Sequence, residues 1–179
     1  SPHLISLLVL IEKTYMSGER ILIIDDSREI VKHLTEHVLP TFGYNTLHAF
    51  DGQTGLAYIR EKKPDLIMLD FNLPEMTGID VLRQMVKESI STPVILMTGY
   101  GSELSAIEAF RLGAKDYLIK PFTVDEVVDT IERALVEPRL LHDKTQLAEQ
   151  LRRVKVEMSR QTHEMNTLSN IGKAITSLL

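Results

Sequence analysis

The chain has no cysteine among its 179 residues. Disulfides, thiolate metal ligands and cysteine nucleophiles are therefore excluded, which fits a reducing compartment. A membrane-length apolar run is missing too. The longest, Leu4 to Ile11, is interrupted by Ser6 and falls far short of the roughly 20 residues a spanning helix needs. No Lys or Arg precedes that run and no small-residue cleavage site follows it, so it does not read as a secretory signal. Positive charge is not in excess either. The net charge of −5 argues against a nucleic-acid-binding domain. The charge is unevenly spread: residues 1–138 carry 13 Lys/Arg against 21 Asp/Glu, and residues 139–179 carry 7 against 4. Glycine and proline are absent between Pro138 and Gly172. An acidic globular unit thus gives way to a mildly basic rod.

An apolar fraction of 44% supports a real core, and the length suits one ordinary domain plus an extension. The chain opens on Ser1-Pro2 rather than Met. Residues 1–18 are set apart as an N-terminal extension, with residues 1–15 either an added helix seeking an apolar partner or sequence outside the native reading that starts at Met16.

Strand and helix patterns then alternate five times. Short apolar runs predict strands at 21–24, 44–48, 66–69, 94–97 and 116–119. Runs of this kind, bounded by polar residues, are what strands buried on both faces look like. Helical spacing links them: Ile30, Leu34, Val38 and Leu39 first, then Leu56, Ala57, Ile59 and Arg60. Val81, Leu82, Met85 and Val86 follow, and Leu104, Ile107, Ala109 and Leu112 after those. Thr123, with Glu126 three residues on, has the spacing of a capping box and opens a helix over 123–135. Alternating units of this length predict an α/β fold with a parallel sheet covered on both faces. Gly43, Gly52, Gly78 and Gly113 read as turn punctuation.

A polar group directly follows each of four of these runs: Asp25-Asp26, Asp70, Thr98 and Lys120. In a parallel sheet such groups emerge together at the carboxyl edge, where open α/β sheets bind ligands. Three carboxylates, a hydroxyl and an ammonium would meet in one crevice, a cation site beside a phosphoryl site. Taken singly, each has an ordinary reading: the Asp pair as a helix cap, Asp70 as a turn residue, Thr98-Gly99 as a strand exit.

Together the motifs carry a resemblance. Ile24-Asp25-Asp26-Ser27, Asp70-Phe71-Asn72-Leu73-Pro74-Glu75-Met76-Thr77-Gly78, Met97-Thr98-Gly99-Tyr100 and Lys120-Pro121-Phe122 make residues 19–136 resemble the receiver domain of two-component response regulators. The resemblance implies a flavodoxin-like, doubly wound, five-stranded parallel sheet of order 2-1-3-4-5. It implies Asp70 as phosphoacceptor for a sensor histidine kinase, with no other enzymatic activity in this chain. Mg²⁺ would be held by Asp26 and Asp70 directly, by Asp25 through water and by the Asn72 backbone carbonyl, hard oxygen ligands that suit this ion. Lys120 would supply a point charge to the phosphoryl oxygens and Thr98 a hydroxyl donor. Lys120-Pro121 matches the family's cis peptide, Thr98 and Tyr117 match its switch pair, and Tyr100 matches a position that tunes hydrolysis. Without a cation, the clustered carboxylates should repel and at least one pKa should rise.

Residues 139–179 follow a heptad pattern. Leu151, Met158, Met165 and Leu179 fall at a; Leu140, Leu147, Val154, Leu168 and Ile175 fall at d; Lys144, Gln161 and Gly172 break the register. This predicts a dynamic coiled coil that makes a homodimer, the other reading being a single amphipathic helix folded back on the domain. Residues 166–179 resemble the opening helix of GAF-type sensory domains, as if leading into an output domain. His163-Glu164 is similar to the phosphoacceptor box of histidine kinases, an alternative phosphotransfer role. A further alternative is a receiver-like dimerisation scaffold that is not phosphorylated. The basic cluster around Arg152 and Arg153 reads as a solvated coil face rather than a DNA-binding zipper. The expected location is cytoplasmic, with neither nucleic acid nor membrane as a partner.

Overall fold

A computed structural model describes residues 18–99 and 103–177. The expected helix at residues 1–15, Tyr100 and Leu179 lie outside the described residues. In chain order the elements are β1 (Arg20–Ile24), α1 (Arg28–Lys32), β2 (Asn45–Ala49), α2 (Gly52–Lys62), β3 (Leu66–Asp70), α3 (Gly78–Lys87), β4 (Val94–Thr98), α4 (Glu103–Arg111), β5 (Asp116–Ile119) and α5 (Val124–Thr176). All strand pairs are parallel and the sheet order is β2-β1-β3-β4-β5. This is the flavodoxin-like order, with the reversal of winding between β1 and β3.

Strand alternation sorts the apolar side chains into two layers. Ile21, Ile23, Met68, Ile95 and Met97 pack with Val31, Leu34 and Val38 on one side and with Val127, Ile131 and Leu135 of α5. Leu22, Ile24, Ile67, Leu69 and Leu96 pack on the other side with Leu56, Ile59, Val81, Leu82 and Met85. The three central strands are thus buried on both faces, as continuous apolar runs require. The edge strand β5 departs from that expectation. Only Leu118 is buried, whereas Tyr117 and Ile119 are 42% and 43% exposed, because β5 is an edge strand with β4 as its one neighbour in the sheet. Val86 and Ile107, assigned by periodicity to inward faces, are also exposed. Of their helices, residues such as Leu82, Met85 and Ala109 supply the contacts to the core.

Two glycines are points of close approach, and Gly78 is one of the four that patterning reads as turn residues. A Cβ at Gly55 would stand 2.6 Å from Cδ1 of Ile24, and one at Gly78 would stand 2.5 Å from the carbonyl oxygen of Asp70. Of these Gly78 was the one expected in a turn; it is the first residue of α3, behind a capping box between Thr77 and Asp80. The predicted box at Thr123 and Glu126 is present, with the Thr123 N–H donating to Glu126 Oε2 at 2.7 Å.

The chain divides into two units after Leu135. Sequence patterning separates a helix over 123–135 from a rod over 139–179 at Pro138, but α5 runs through the proline without interruption. A proline inside a helix forfeits one backbone hydrogen bond and crowds one carbonyl, a cost of about 3 kcal/mol. Strong helix formers on both sides, Ala134-Leu135 and Leu140-Leu141, oppose that cost. In the second unit, described side chains from Leu140 to Ala174 are exposed, with Glu149 alone half-buried. Among the described residues no helix is long and apolar enough to cross a membrane.

Candidate functional site

The carboxyl ends of β1, β3 and β4 and the residue following β5 bring the predicted groups to one edge. Asp25 directly follows β1, and its N–H continues the sheet by donating to Ala49 O at 3.1 Å. Its side chain is fully buried. One carboxylate oxygen accepts from the Ser27 N–H at 2.8 Å. Ser27, not an aspartate, caps α1 by accepting from the Ile30 N–H, which leaves Asp26 exposed and uncommitted to capping. Asp70 is the last residue of β3, opposite Met97 of β4, and is buried. Asp25, Asp26 and Asp70 each offer a carboxylate oxygen, all within 4.8 Å of one another.

Lys120 arrives from the far side of the sheet. Its N–H donates to Thr98 O at 2.7 Å, and the Lys120-Pro121 bond is cis, as expected. The ammonium sits 2.6 Å from Asp25 Oδ2 and 3.0 Å from Asp70 Oδ1. Sequence reasoning aimed this charge at phosphoryl oxygens and missed Asp25 as its nearest partner. Depth explains the difference. A fully buried carboxylate is costly unless paired, and the Lys120 ammonium supplies that pairing.

Burial lifts the Asp70 carboxyl above its usual value, against the hydrogen bond from Lys120, and repulsion from Asp25 adds to the rise. The expected increase is therefore present, with desolvation ahead of like-charge repulsion as its cause. An N–H from the Asn72 backbone opposes it. For Lys120, burial alone would lower the ammonium's pKa. Hydrogen bonds and charge from Asp25 and Asp70 outweigh that and hold it above the ordinary lysine value. Three carboxylates thus gather in one partly desolvated crevice, and the Lys120 ammonium pairs with two of them, Asp25 and Asp70, which leaves an excess of negative charge.

That excess, and a donor set made only of hard oxygens, fits a divalent cation of the Mg²⁺ type. Thr98 closes β4 beside this cluster, buried, with its hydroxyl donating to Gly99 O at 3.1 Å. Tyr117 pairs in register with Leu96, two residues before Thr98. Its ring stands outward, edge-on to Phe110 at 6.0 Å. His163, the alternative phosphoacceptor, lies in the second unit on an exposed stretch of α5.

Gly78 packs against the backbone of the site, a position that periodicity alone does not reveal. Its missing side chain lets the start of α3 approach the backbone of Asp70 and Phe71, and its N–H donates to Phe71 O at 3.0 Å. The signal available in sequence was the Thr77-x-x-Asp80 spacing, which starts a helix at Gly78 rather than a turn.

Known proteins resemble this chain in sequence and fold. The regulatory protein AtoC of Escherichia coli (strain K12) is 41% identical over 116 residues, which is 65% of this chain and 25% of that protein. The transcriptional regulatory protein CpxR of Klebsiella pneumoniae is 41% identical over 116 residues, 65% of this chain and 49% of that one. The chain thus spans a quarter of one relative and about half of the other. CpxR is a regulator of transcription by name, so an expected lack of nucleic-acid partners extends no further than the residues present. Among solved structures, the receiver domain of NtrX from Brucella abortus superposes with a TM-score of 0.60 at 35% identity, covering 64% of this chain and 97% of that one. A CheY-like response regulator receiver domain protein from Methanospirillum hungatei JF-1 gives 0.63 at 31% identity, covering 68% and 96%. The family model of the response regulator receiver domain matches residues 21–132. With its strand order, its acidic cluster and its lysine all in that span, the chain belongs to the response regulator receiver family.

Proposed function

We propose that Asp70 accepts a phosphoryl group from a sensor histidine kinase, and that the phosphorylated state is passed along α5 to an output domain. The observation that carries this reading is the convergence of Asp25, Asp26 and Asp70 on the Lys120 ammonium. In the transfer, the N–P bond of a phosphohistidine breaks as an Asp70 carboxylate oxygen bonds to phosphorus. The imidazole leaves with the N–P electron pair and the product is an acyl phosphate. Such a step needs positioning and charge neutralisation more than covalent assistance.

Asp25, Asp26 and Asp70, with the Asn72 carbonyl, would hold Mg²⁺, which when bound supplies part of that neutralisation. The chain's own groups supply the rest. Lys120 already lies within hydrogen-bond reach of Asp70, so its ammonium can follow the charge onto the phosphoryl oxygens. Thr98 would release Gly99 O and donate to another phosphoryl oxygen. Movement of Thr98 opens room behind it, and Tyr117 turns inward from its exposed position. Chemistry in this chain is then limited to phosphorylation and hydrolysis at Asp70. A receiver of this kind works in the cytoplasm and makes no use of nucleic acid or membrane itself.

The rod of residues 139–179 is proposed to pair with a second copy as a coiled coil. Its described heptad side chains from Leu140 to Leu168 are exposed, Leu151 and Met165 at 62% and 71%, and a stripe this long calls for a partner. Residues 166–179 would lead on towards a GAF-type output domain.

The test is incubation with acetyl phosphate and Mg²⁺, read by intact mass. A gain of one phosphoryl group that is lost in Asp70→Asn supports the reading. Label on His163 would favour phosphotransfer by the rod, and no uptake would leave a dimerisation scaffold.

A further inference from the structure

The first helix does not end as an ordinary α-helix. After Lys32 the chain continues as a π-helical turn over His33–Val38 and then a 3₁₀ turn over Leu39–Phe42. The Leu39 N–H reaches back to Leu34 O, five residues away. Pro40 supplies the reason. It has no N–H for the carbonyl of Glu36, and its ring crowds that group, so the turn before it widens. Thr41 Oγ1 takes up the next carbonyl, that of His37, at 2.9 Å. Widened turns of this type recur at functional sites.

Two histidines sit on this turn, four residues apart. Their rings are 6.1 Å between centroids and inclined at 54°. Packing does not need them there. Leu34 and Val38 fill the inner face, whereas His33 and His37 are exposed. Glu29, one turn earlier at the same spacing, is exposed as well. Two imidazoles that each bind one metal ion at about 2.0–2.1 Å have centroids roughly 5–6 Å apart, close to the separation seen here, and rotation of these exposed side chains would bring their nitrogens together.

We propose that His33 and His37 chelate a borderline divalent transition-metal ion of the Zn²⁺, Ni²⁺ or Cu²⁺ class, with Glu29 as the carboxylate that completes the set. Imidazole selects such ions, while the carboxylates around Asp70 select hard ones, so the two sites are chemically distinct. They are also neighbours. His33 and Glu29 line a cavity of about 410 Å³ together with Ile30, Lys120, Pro121 and Phe122. A cation held by this turn would therefore stand beside the segment that carries Lys120.

The experiment is a calorimetric titration of the full chain with Ni²⁺ at neutral pH under saturating Mg²⁺, repeated on His33→Ala, His37→Ala and His48→Ala. Losing a ligand should weaken binding at least about tenfold, since even supporting groups around a metal are worth that much. The expected result is that weakening in each of the first two variants and none in the third. Paramagnetic broadening by Ni²⁺ should centre on residues 29–41 of the wild type. Equal affinity in wild type and both variants, no Ni²⁺ uptake, or uptake lost only in Asp70→Asn would overturn the proposal.

Discussion

The two units of this chain use the same apolar residue types in opposite ways. In the receiver unit, the apolar side chains of β1, β3 and β4 are at most 2% exposed. In the rod, leucines, valines and methionines at heptad positions, Leu140 to Leu168, are 57–71% exposed. The first unit holds itself together by burial within the chain. The second is held by backbone hydrogen bonds and by ion pairs on its outer face, Arg152 and Arg153 with Glu149 and Arg160 with Glu157 and Glu164. Such solvent-exposed helical pairs contribute little, because water and salt screen them. Stability of the receiver should therefore be independent of protein concentration, and that of the rod should depend on it.

The sharpest break between the units comes from removing core volume. Ile23→Ala should destabilise the receiver by about 2–5 kcal/mol, seen in urea unfolding at any concentration. Leu151→Ala, an equal deletion in the rod, should leave that transition unchanged. It should instead raise the concentration at which helical ellipticity appears and the sedimenting mass doubles. A shift of the receiver transition by Leu151→Ala would mean the two units are not energetically separate.

Next in size is the acidic cluster at the end of the sheet. Lys120→Met leaves Asp25 buried with no ammonium beside it. Breaking a buried pair from one side costs about 3–5 kcal/mol. Lys120 retains some solvent access, so the lower end is expected, and Mg²⁺ should restore part of it. Asp70→Asn should act the other way. The folded pKa of Asp70 is raised, so its ionisation opposes folding. That penalty grows as pH rises from the unfolded carboxylate's value through the folded one, and is complete above it. The amide should therefore raise the melting temperature of the Mg²⁺-free protein at pH 7 while abolishing phosphoryl uptake, a trade of stability against function. A lower melting temperature would mean the ion pair with Lys120 outweighs desolvation.

These contrasts mark what could be read from the residues alone. The convergence of Asp25, Asp26, Asp70 and Lys120 was legible because each follows an apolar run, and parallel strands bring such ends to one edge. The order of the sheet came only with the family resemblance. Depth within the crevice was not legible. Nothing local says that Asp25 is the buried member that draws Lys120, or that Tyr117 and Ile119 face outward because β5 is an edge. The widened turn at His33–Val38 follows from Pro40, but only once the helix is known to continue towards it. Long-range pairs were invisible for the same reason: Arg60, read as part of an apolar face, forms a fork with Glu88 of the α3 end, at 2.6 and 2.8 Å.

That fork allows the finest comparison. Hydrogen bonds from Arg60, then from Gln84, lower the Glu88 carboxyl to about 2. In the rod, Arg160 lowers Glu157 in the same direction. The chemistry is alike, but the Arg60 link joins residues 28 apart, and the Arg160 link lies within one helical turn. A depressed folded pKa contributes stability that is present above the unfolded carboxylate's value and is lost as pH falls through the folded one. For Glu88 that window runs from about pH 4.5 down to about 2, and solvent screening keeps the contribution small. Urea just sufficient to unfold the receiver should return the Glu88 titration, followed by its side-chain carbonyl resonance, to the ordinary range in one step with the loss of the core. Glu157 should follow rod helicity and protein concentration instead. Should both carboxylates return together in a single transition, the proline-bridged helix would be transmitting stability from one unit to the other.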